Sequence, residues 1–184
     1  MKRLAVCFSL VLLFCVFFTS CTESPREYLE YQQYPFSLEA EVTLNDMTFE
    51  AQICVDSPDS GSITFISPDR LSGISFVTKE GAVAISYDGL YIDLNGSQLL
   101  SIWSDIISLF CLKTECVTGA KVESIDTVPV NVIDYYDSER NIRCTLTVDG
   151  RNGLPLSIDY HTEGKNIFIK VKNFTAKSET DTTQ

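Results

Sequence analysis

The first apolar segment of the chain is a continuous run from Leu4 to Phe18. It follows a positive start, Met1-Lys2-Arg3, and ends at the small residues Thr19 and Ser20. A charged start, an apolar stretch of this length and small residues at its end are typical of a secretory signal. The run is short for a membrane-spanning helix, which needs about 20 apolar residues. We therefore expect residues 1–20 to direct export.

Strict alternation of apolar and polar residues begins at Phe36. Apolar residues occupy every second position of 36–44 and again of 47–55, with Asn45-Asp46 between the two runs. A period of two indicates half-buried β-strands, and two polar residues between such runs favour a tight turn. The pattern predicts a β-hairpin here. It predicts further short strands, separated by glycine-containing or polar turns, at 62–67, 73–78, 82–86, 90–94, 127–136, 143–148, 156–161 and 166–172.

Residues 97–112 change to the helical period. Their apolar residues recur at spacings of three and four, while serines and Asp105 occupy the other side,. So wide an apolar stripe must lie against a large apolar surface, and the concave side of a curved sheet is the available one. The helix is either an ordinary part of the core or a lid over a cavity that admits an acyl chain. In the second case the candidate lining residues are Leu99, Leu100, Ile102, Trp103, Ile106, Ile107 and Phe110.

The residues around Cys21 resemble the lipobox of bacterial lipoproteins. In Phe18-Thr19-Ser20-Cys21 the small Thr19 and Ser20 fit the two positions before the cleaved bond, and Phe18 stands where leucine is usual. The resemblance implies that Cys21 becomes the first mature residue and carries acyl chains such as palmitate. These chains would hold the protein at the extracytoplasmic face of a membrane. An ordinary secretory signal or an uncleaved anchor is the alternative interpretation.

The net charge excludes one class of partner. The chain has 14 Lys+Arg against 25 Asp+Glu, a formal charge of −11, and loss of residues 1–20 with Lys2 and Arg3 would leave −13. Nucleic-acid binding requires a basic surface, so we expect no nucleic-acid partner. The same charge argues against electrostatic attraction to an anionic membrane. Membrane attachment would therefore depend on the lipid on Cys21.

Residues for catalysis or metal binding are sparse. His161 is the single histidine, and no G-x-S-x-G nucleophile motif is present,. One histidine cannot form the usual His-rich zinc site, and the acidic clusters lack the spacing of a calcium loop. We therefore expect no catalytic residues, no metal, no cofactor and no enzymatic activity.

Four cysteines lie beyond Cys21: Cys54, Cys111, Cys116 and Cys144. Disulfides are common in exported proteins with an even number of cysteines. Cys111–Cys116 with Cys54–Cys144 is one of three pairings that the sequence allows. Buried free thiols that pack as small apolar residues are the alternative.

Three stretches, together with the lipobox, about ten strands and one apolar helix, resemble the LolA/LolB-type lipoprotein-carrier superfamily. They are a strand that ends in a proline turn (Ile63–Arg70), a hairpin (Ala84–Tyr91) and a late G-x-P-x-x-I strand (Gly153–Tyr160). The resemblance implies an α+β, mostly β fold: an unclosed β-barrel of antiparallel strands whose cavity takes acyl chains, with the helix in its concave face. The expected organisation is a signal peptide at 1–20, a tether at 21–35, a LolA-like domain at 36–174 and a disordered tail at 175–184.

Two functions follow as hypotheses. The first is a membrane-anchored lipoprotein that binds an apolar ligand, a lipid or acyl chain, between sheet and helix. The alternative is an accessory or structural lipoprotein of the cell envelope that docks a partner protein and carries no ligand. The two differ in whether the apolar side of 99–110 packs tightly or leaves a cavity.

Overall fold

A computed structural model of the protein describes residues 28–80, 82–94, 101–162 and 164–176. Within these residues the chain forms eleven strands and the α-helix α1, Ser101–Ser108. The strands are β1 (Phe36–Leu44), β2 (Met47–Ser57), β3 (Ser60–Ser67), β4 (Ser75–Lys79), β5 (Ala82–Tyr87), β6 (Leu90–Asp93), β7 (Val117–Ile125), β8 (Val128–Asp137), β9 (Ile142–Asp149), β10 (Pro155–Thr162) and β11 (Lys165–Ala176).

All eleven strands belong to one antiparallel sheet, in the order β6-β5-β4-β3-β2-β1-β11-β10-β9-β8-β7. The first and last strands pair at its centre, and the chain meanders outward from them on both sides. The edge strands β6 and β7 are not paired with each other, so the sheet is not closed into a barrel. The predicted fold class, a curved antiparallel sheet with one helix on its apolar face, is confirmed. Among the described residues no helix is long and apolar enough to cross a membrane.

The strand order explains where the helix lies. β6 and β7 are consecutive strands in the chain but form opposite edges of the sheet. The connection between them must therefore cross a face of the sheet, and α1 belongs to this connection. Because the helix is apolar, it crosses the apolar face, where it packs against β3 and β4,.

The predicted β1–β2 hairpin is confirmed. Every second residue of β1, from Phe36 to Leu44, is buried, and Leu44 pairs with Met47 across the two-residue turn. Asn45 has a φ of 51° there, a left-handed conformation that asparagine tolerates,. The predicted turn between β5 and β6 is also present: Asp88 and Gly89 both have positive φ, as the usual two-residue hairpin turn requires,.

The structure differs from the predicted secondary structure at two elements. β7 was not predicted, because nearly all its side chains are exposed and the chain carries no alternation there. The helix ends at Ser108 and not at 112, since Phe110 and Cys111 form tighter i→i−3 backbone hydrogen bonds to Ile107 and Ser108,.

The described part of the predicted tether packs on the sheet. Tyr28, Leu29 and Tyr31 are buried, and the ring of Tyr31 meets Phe36 and Phe174 edge-on at centroid distances of 6.1 and 6.2 Å. Tyr28, Leu29 and Tyr31 are thus part of the core. At the other end of the chain β11 continues to Ala176, two residues into the segment predicted as a disordered tail.

Candidate functional site

A cavity of about 660 Å³ opens at one end of the sheet, beside the N-terminal half of α1. Pockets that bind small molecules typically measure about 300–1,000 Å³. The start of β2, the β3–β4 turn, β5 and the helix surround it. Its lining consists of Asp46, Met47, Thr48, Phe49, Phe65, Pro68, Arg70, Leu71, Ile74, Phe76, Ile85, Tyr87 and Trp103.

Aromatic side chains form the deep wall of this cavity. The indole of Trp103 stacks on Phe76, with ring centroids 4.1 Å apart and planes inclined by 11°. It meets Phe65 edge-on at 5.5 Å and Phe49 at 6.0 Å. Such contacts add about 0.5–1.5 kcal/mol per pair to the burial of the rings. The wall is therefore preformed, because three strands and the helix each supply a ring to it.

The C-terminal half of the helical segment is buried in the core. Ile106, Ile107, Leu109 and Phe110 are all at most 2% exposed. Gly61 of β3 lets the helix approach closely: a Cβ at this position would lie 3.2 Å from Ile107 Cδ1 and 2.4 Å from a backbone carbonyl oxygen. The apolar side of the helix thus packs tightly at one end and borders a cavity at the other.

A polar network holds the segment that follows the helix. Arg140 donates through Nη2 to the backbone oxygen of Cys111 at 3.3 Å and to the Tyr135 hydroxyl at 2.9 Å. Its Nε donates to Asp137 Oδ2 at 2.7 Å. This hydrogen bond lowers the pKa of the buried Asp137 to about 2. An ion pair of 2.7 Å between Asp105 and Lys165 joins the helix itself to β11.

Two charged residues stand at the mouth of the cavity. Asp46 lies in the β1–β2 turn and Arg70 in the β3–β4 turn, and both side chains are exposed. They come from segments that are distant in the chain, and they are the charged residues among those that line the cavity. The cavity is thus apolar in its interior and carries one charge of each sign at its rim.

The structure describes five of the seven predicted lining residues. Trp103 lines the cavity, and Ile102 is half-buried against the core. Ile106, Ile107 and Phe110 belong to the packed core. Leu99, Leu100 and the predicted lipidation site Cys21 lie outside the described residues.

The four cysteines of the domain are free in the structure. Cys54 of β2 and Cys144 of β9 are separated by β1, β11 and β10, and Cys144 is buried whereas Cys54 lies on the half-buried outer side of its strand. Burial raises the pKa of the Cys111 thiol to about 11 and that of Cys144 to about 12. These two thiols pack as apolar core residues.

His161 is exposed and is not among the residues that line the cavity. Its ring contacts Asn166 at 3.0 Å and Asp159 at 2.8 Å, and the hydrogen bond to Asn166 raises its pKa. Within the described ranges, no group of three or more histidine, cysteine or acidic side chains is placed to hold a metal ion.

Of the residues that line the cavity, only Trp103 is among those predicted from the sequence. Phe49, Phe65 and Phe76 stand at inward positions of predicted strands, so the repeated aromatic residue at such positions was the available signal. Leu71 comes from the β3–β4 turn and offers no periodic signal, whereas Ile74 alternates with Phe76 in the predicted strand 73–78.

The described residues thus form an open antiparallel sheet whose single described α-helix borders an apolar cavity, the architecture that a likeness to the LolA/LolB-type superfamily implies. No protein-family model and no curated protein sequence matches the chain. Solved structures with a similar fold include a LolA superfamily protein from Nitrosomonas europaea, at 13% identity, 86% coverage of this chain, 96% of that chain and a TM-score of 0.44.

Two further structures are similar at the same 13% identity. An uncharacterized conserved protein from Thermus thermophilus covers 88% of this chain and 90% of its own, with a TM-score of 0.49. The match to the lipoprotein LppX from Mycobacterium tuberculosis covers 85% of this chain and 95% of that chain, with a TM-score of 0.47. A likeness this distant concerns the fold and does not identify a ligand or a partner of this chain.

Proposed function

We propose that the protein is a membrane-anchored lipoprotein that holds an acyl chain of a lipid in the cavity beside Trp103. The observation that supports this function is the cavity itself, about 660 Å³ of preformed and mostly apolar space next to a tightly packed core. Burial of each CH₂ group of a ligand there contributes about 0.8 kcal/mol. Binding requires no catalytic group, so the proposed activity is binding or carriage and not an enzymatic reaction.

The fixed position of the helix favours a specific binding cavity over a packing defect. The helix is held by buried side chains on β3, by the Asp105–Lys165 ion pair and, beyond its end, by Arg140. In its N-terminal half, Trp103 stacks on Phe76 of β4. A rigid wall of this kind loses little conformational entropy when a ligand enters, which favours binding.

The first described residues and the cavity lie at opposite ends of β1. The first described residues, 28–35, pack where β1 begins, whereas the cavity lies where β1 ends and β2 begins. A nine-residue strand such as β1 is about 30 Å long,. Residues 22–28 can span at most about 25 Å. With a lipid on Cys21, the domain would stay near the membrane while the cavity mouth remains accessible from the far end.

Native mass spectrometry tests ligand binding directly. The protein is produced in its native host and extracted from the membrane under mild conditions, and its mass is then measured. We expect a lipid adduct on the wild type and its loss in Ile74→Trp, which fills the cavity from the β3–β4 turn. Ile66→Trp is the matched control, because Ile66 is exposed on β3 and does not line the cavity. A wild-type protein found only at its ligand-free mass would overturn the proposal.

A second experiment tests the anchor. Cells are labelled with an alkyne-bearing fatty acid, and incorporation into the protein is compared between the wild type and Cys21→Ser. We expect the label to disappear in Cys21→Ser and to persist in Cys54→Ser, which alters a half-buried cysteine of β2. Label that remains after Cys21→Ser would show that the lipid is not on this residue.

One observation favours the second candidate function, an accessory lipoprotein that docks a partner protein in the envelope. The edge strand β6 exposes Leu90, Tyr91 and Ile92 to 69%, 65% and 57%. Exposed apolar residues on an open strand edge can pair with an extended segment of another protein. The mass experiment separates the two functions, because a docking protein without ligand has the ligand-free mass.

A further inference from the structure

The charges at the cavity mouth are not neutralised by their neighbours. No ion pair or side-chain hydrogen bond joins Arg70 or Asp46 to another residue in the described part of the chain. The two also do not pair with each other, although both line the same cavity. Both groups are therefore available to a ligand at the rim.

The backbone that carries Arg70 is fixed. Leu71 donates its N–H to Pro68 O at 2.8 Å and Ser72 donates to Asp69 O at 3.2 Å, so Arg70 lies inside two overlapping turns. Gly73 then returns the chain to β3 with an N–H donated to Phe65 O at 3.0 Å. The turn thus fixes the backbone of Arg70, whose side chain lines the cavity.

The β1–β2 hairpin carries Asp46 in a similarly restrained turn. Leu44 and Met47 pair directly on either side of it, and Asn166 of β11 donates its N–H to Asn45 Oδ1 at 3.0 Å. The backbones that carry the two charges are therefore both restrained, and both residues line the same mostly apolar cavity.

On the basis of the proposed lipid binding, we propose that the ligand is an amphiphile with a zwitterionic phosphate-and-ammonium headgroup. Its acyl chain lies against Trp103, its phosphate pairs with Arg70 and its ammonium group pairs with Asp46. A neutral headgroup leaves both rim charges unpaired, and an anionic headgroup is attracted by Arg70 but repelled by Asp46. The formal charge of −11 over the whole chain adds long-range repulsion of anions,.

The test compares ligands that share one palmitoyl chain and differ in headgroup charge. They are lysophosphatidylethanolamine (zwitterionic), lysophosphatidylglycerol (anionic) and monopalmitoylglycerol (neutral). Each competes with the uncharged fluorophore N-phenyl-1-naphthylamine for the chain from residue 21 onward carrying Cys21→Ser. We expect the zwitterionic ligand to compete about three- to fivefold better than the others, the size typical of exposed charge pairs.

Two charge-removing variants give the sharper result. Arg70→Gln should weaken both phosphate-bearing ligands relative to the neutral ligand, because each loses its pair with Arg70. Asp46→Asn should remove the preference for the zwitterionic over the anionic ligand. Asp69→Asn is the matched control, since Asp69 is exposed on the same turn as Arg70 but does not line the cavity.

The outcomes separate this inference from the proposed function. Equal competition by all three ligands, or preferences that Arg70→Gln and Asp46→Asn leave unchanged, would overturn the headgroup assignment while lipid binding stands. A fluorophore that does not bind and ligands that produce no complex would overturn the lipid-binding function itself.

Discussion

The ring of Trp103 lies 4.1 Å from that of Phe76, nearly parallel to it, and the same indole lines the cavity. One side chain therefore attaches the helix to the sheet and forms the wall that a ligand would touch. The position of the helix and the shape of the cavity are coupled through this contact. A shift of the helix therefore changes the shape of the cavity, because Trp103 stacks directly on Phe76 of the sheet.

Trp103 is the single tryptophan of the chain, so its fluorescence reports on the cavity alone. We predict that a phospholipid with a dibrominated acyl chain quenches this fluorescence, because bromine quenches only at short range and the acyl chain lies against the indole. The same lipid without bromine should leave the intensity nearly unchanged. Quenching is measured by titration of the chain from residue 21 onward carrying Cys21→Ser.

The Ile74→Trp variant is not suitable as a control here, because it adds a second tryptophan. Ile74→Phe fills part of the cavity without adding one, and it should weaken the quenching. Equal quenching by brominated and unbrominated lipid would place the acyl chain elsewhere.

Gly61 controls how closely the helix approaches the sheet. We predict that Gly61→Ala lowers the free energy of unfolding by about 1–3 kcal/mol, because the new Cβ would meet the carbonyl oxygen of Cys54 at 2.4 Å and Ile107 at 3.2 Å,. Urea denaturation measures the change. Gly119→Ala on β7 is the matched control: its nearest neighbour would lie 3.6 Å away, so this variant should be as stable as the wild type.

Local patterns predicted the strands that alternate strictly. β1 and β2 follow from their period of two and from the Asn45-Asp46 turn, both of which act within about twenty residues. The pairing of β1 with β11 joins Phe36 to Ala176, and no local pattern indicates it. Since this pairing makes β6 and β7 the edges, the path of the helix across the sheet depends on a contact between the two ends of the domain.

The cavity could not be predicted for a related reason. The helical period correctly indicates which side of the helix is apolar, but it does not distinguish Trp103 from Ile107 on that side. The distinction depends on what faces each residue: Gly61 allows close packing at Ile107, whereas the β3–β4 turn stands away from the helix near Trp103. The lining is set by tertiary packing, which overrides the uniform pattern.

The cysteines provide a test of the core. We predict that Cys54 and Cys116, both half-buried, react with a thiol reagent in the folded protein before Cys111 and Cys144 do. The latter two have raised pKa values, about 11 and 12, because they are buried, so little thiolate forms at pH 8,. Reaction at each residue is followed by peptide mass spectrometry.

The same experiment checks the absence of disulfides. In denaturant without reductant, the chain from residue 21 onward carrying Cys21→Ser should take up reagent on all four cysteines. Uptake on only two, or on none, would show that disulfides form in the protein.

Asp137 makes the stability of the domain depend on acid pH. The hydrogen bond from Arg140 lowers the pKa of Asp137 from 3.8 to about 2 in the folded state. The folded protein therefore binds this proton less readily than the unfolded chain, and stability is fully present above about pH 4 and is lost as the pH falls towards 2. We predict that the free energy of unfolding, measured in urea between pH 5 and pH 2, falls less steeply in Asp137→Asn than in the wild type.

Asp149 contributes to the same pH range. A side-chain hydrogen bond from Arg151 lowers its pKa to about 2, so Asp137→Asn should retain part of the slope and the double variant with Asp149→Asn should be flatter still. Asp56→Asn, which removes an exposed carboxylate from β2, controls for the change in net charge. If Asp137→Asn keeps the full wild-type slope, the Arg140 contact does not lower this pKa in the folded protein.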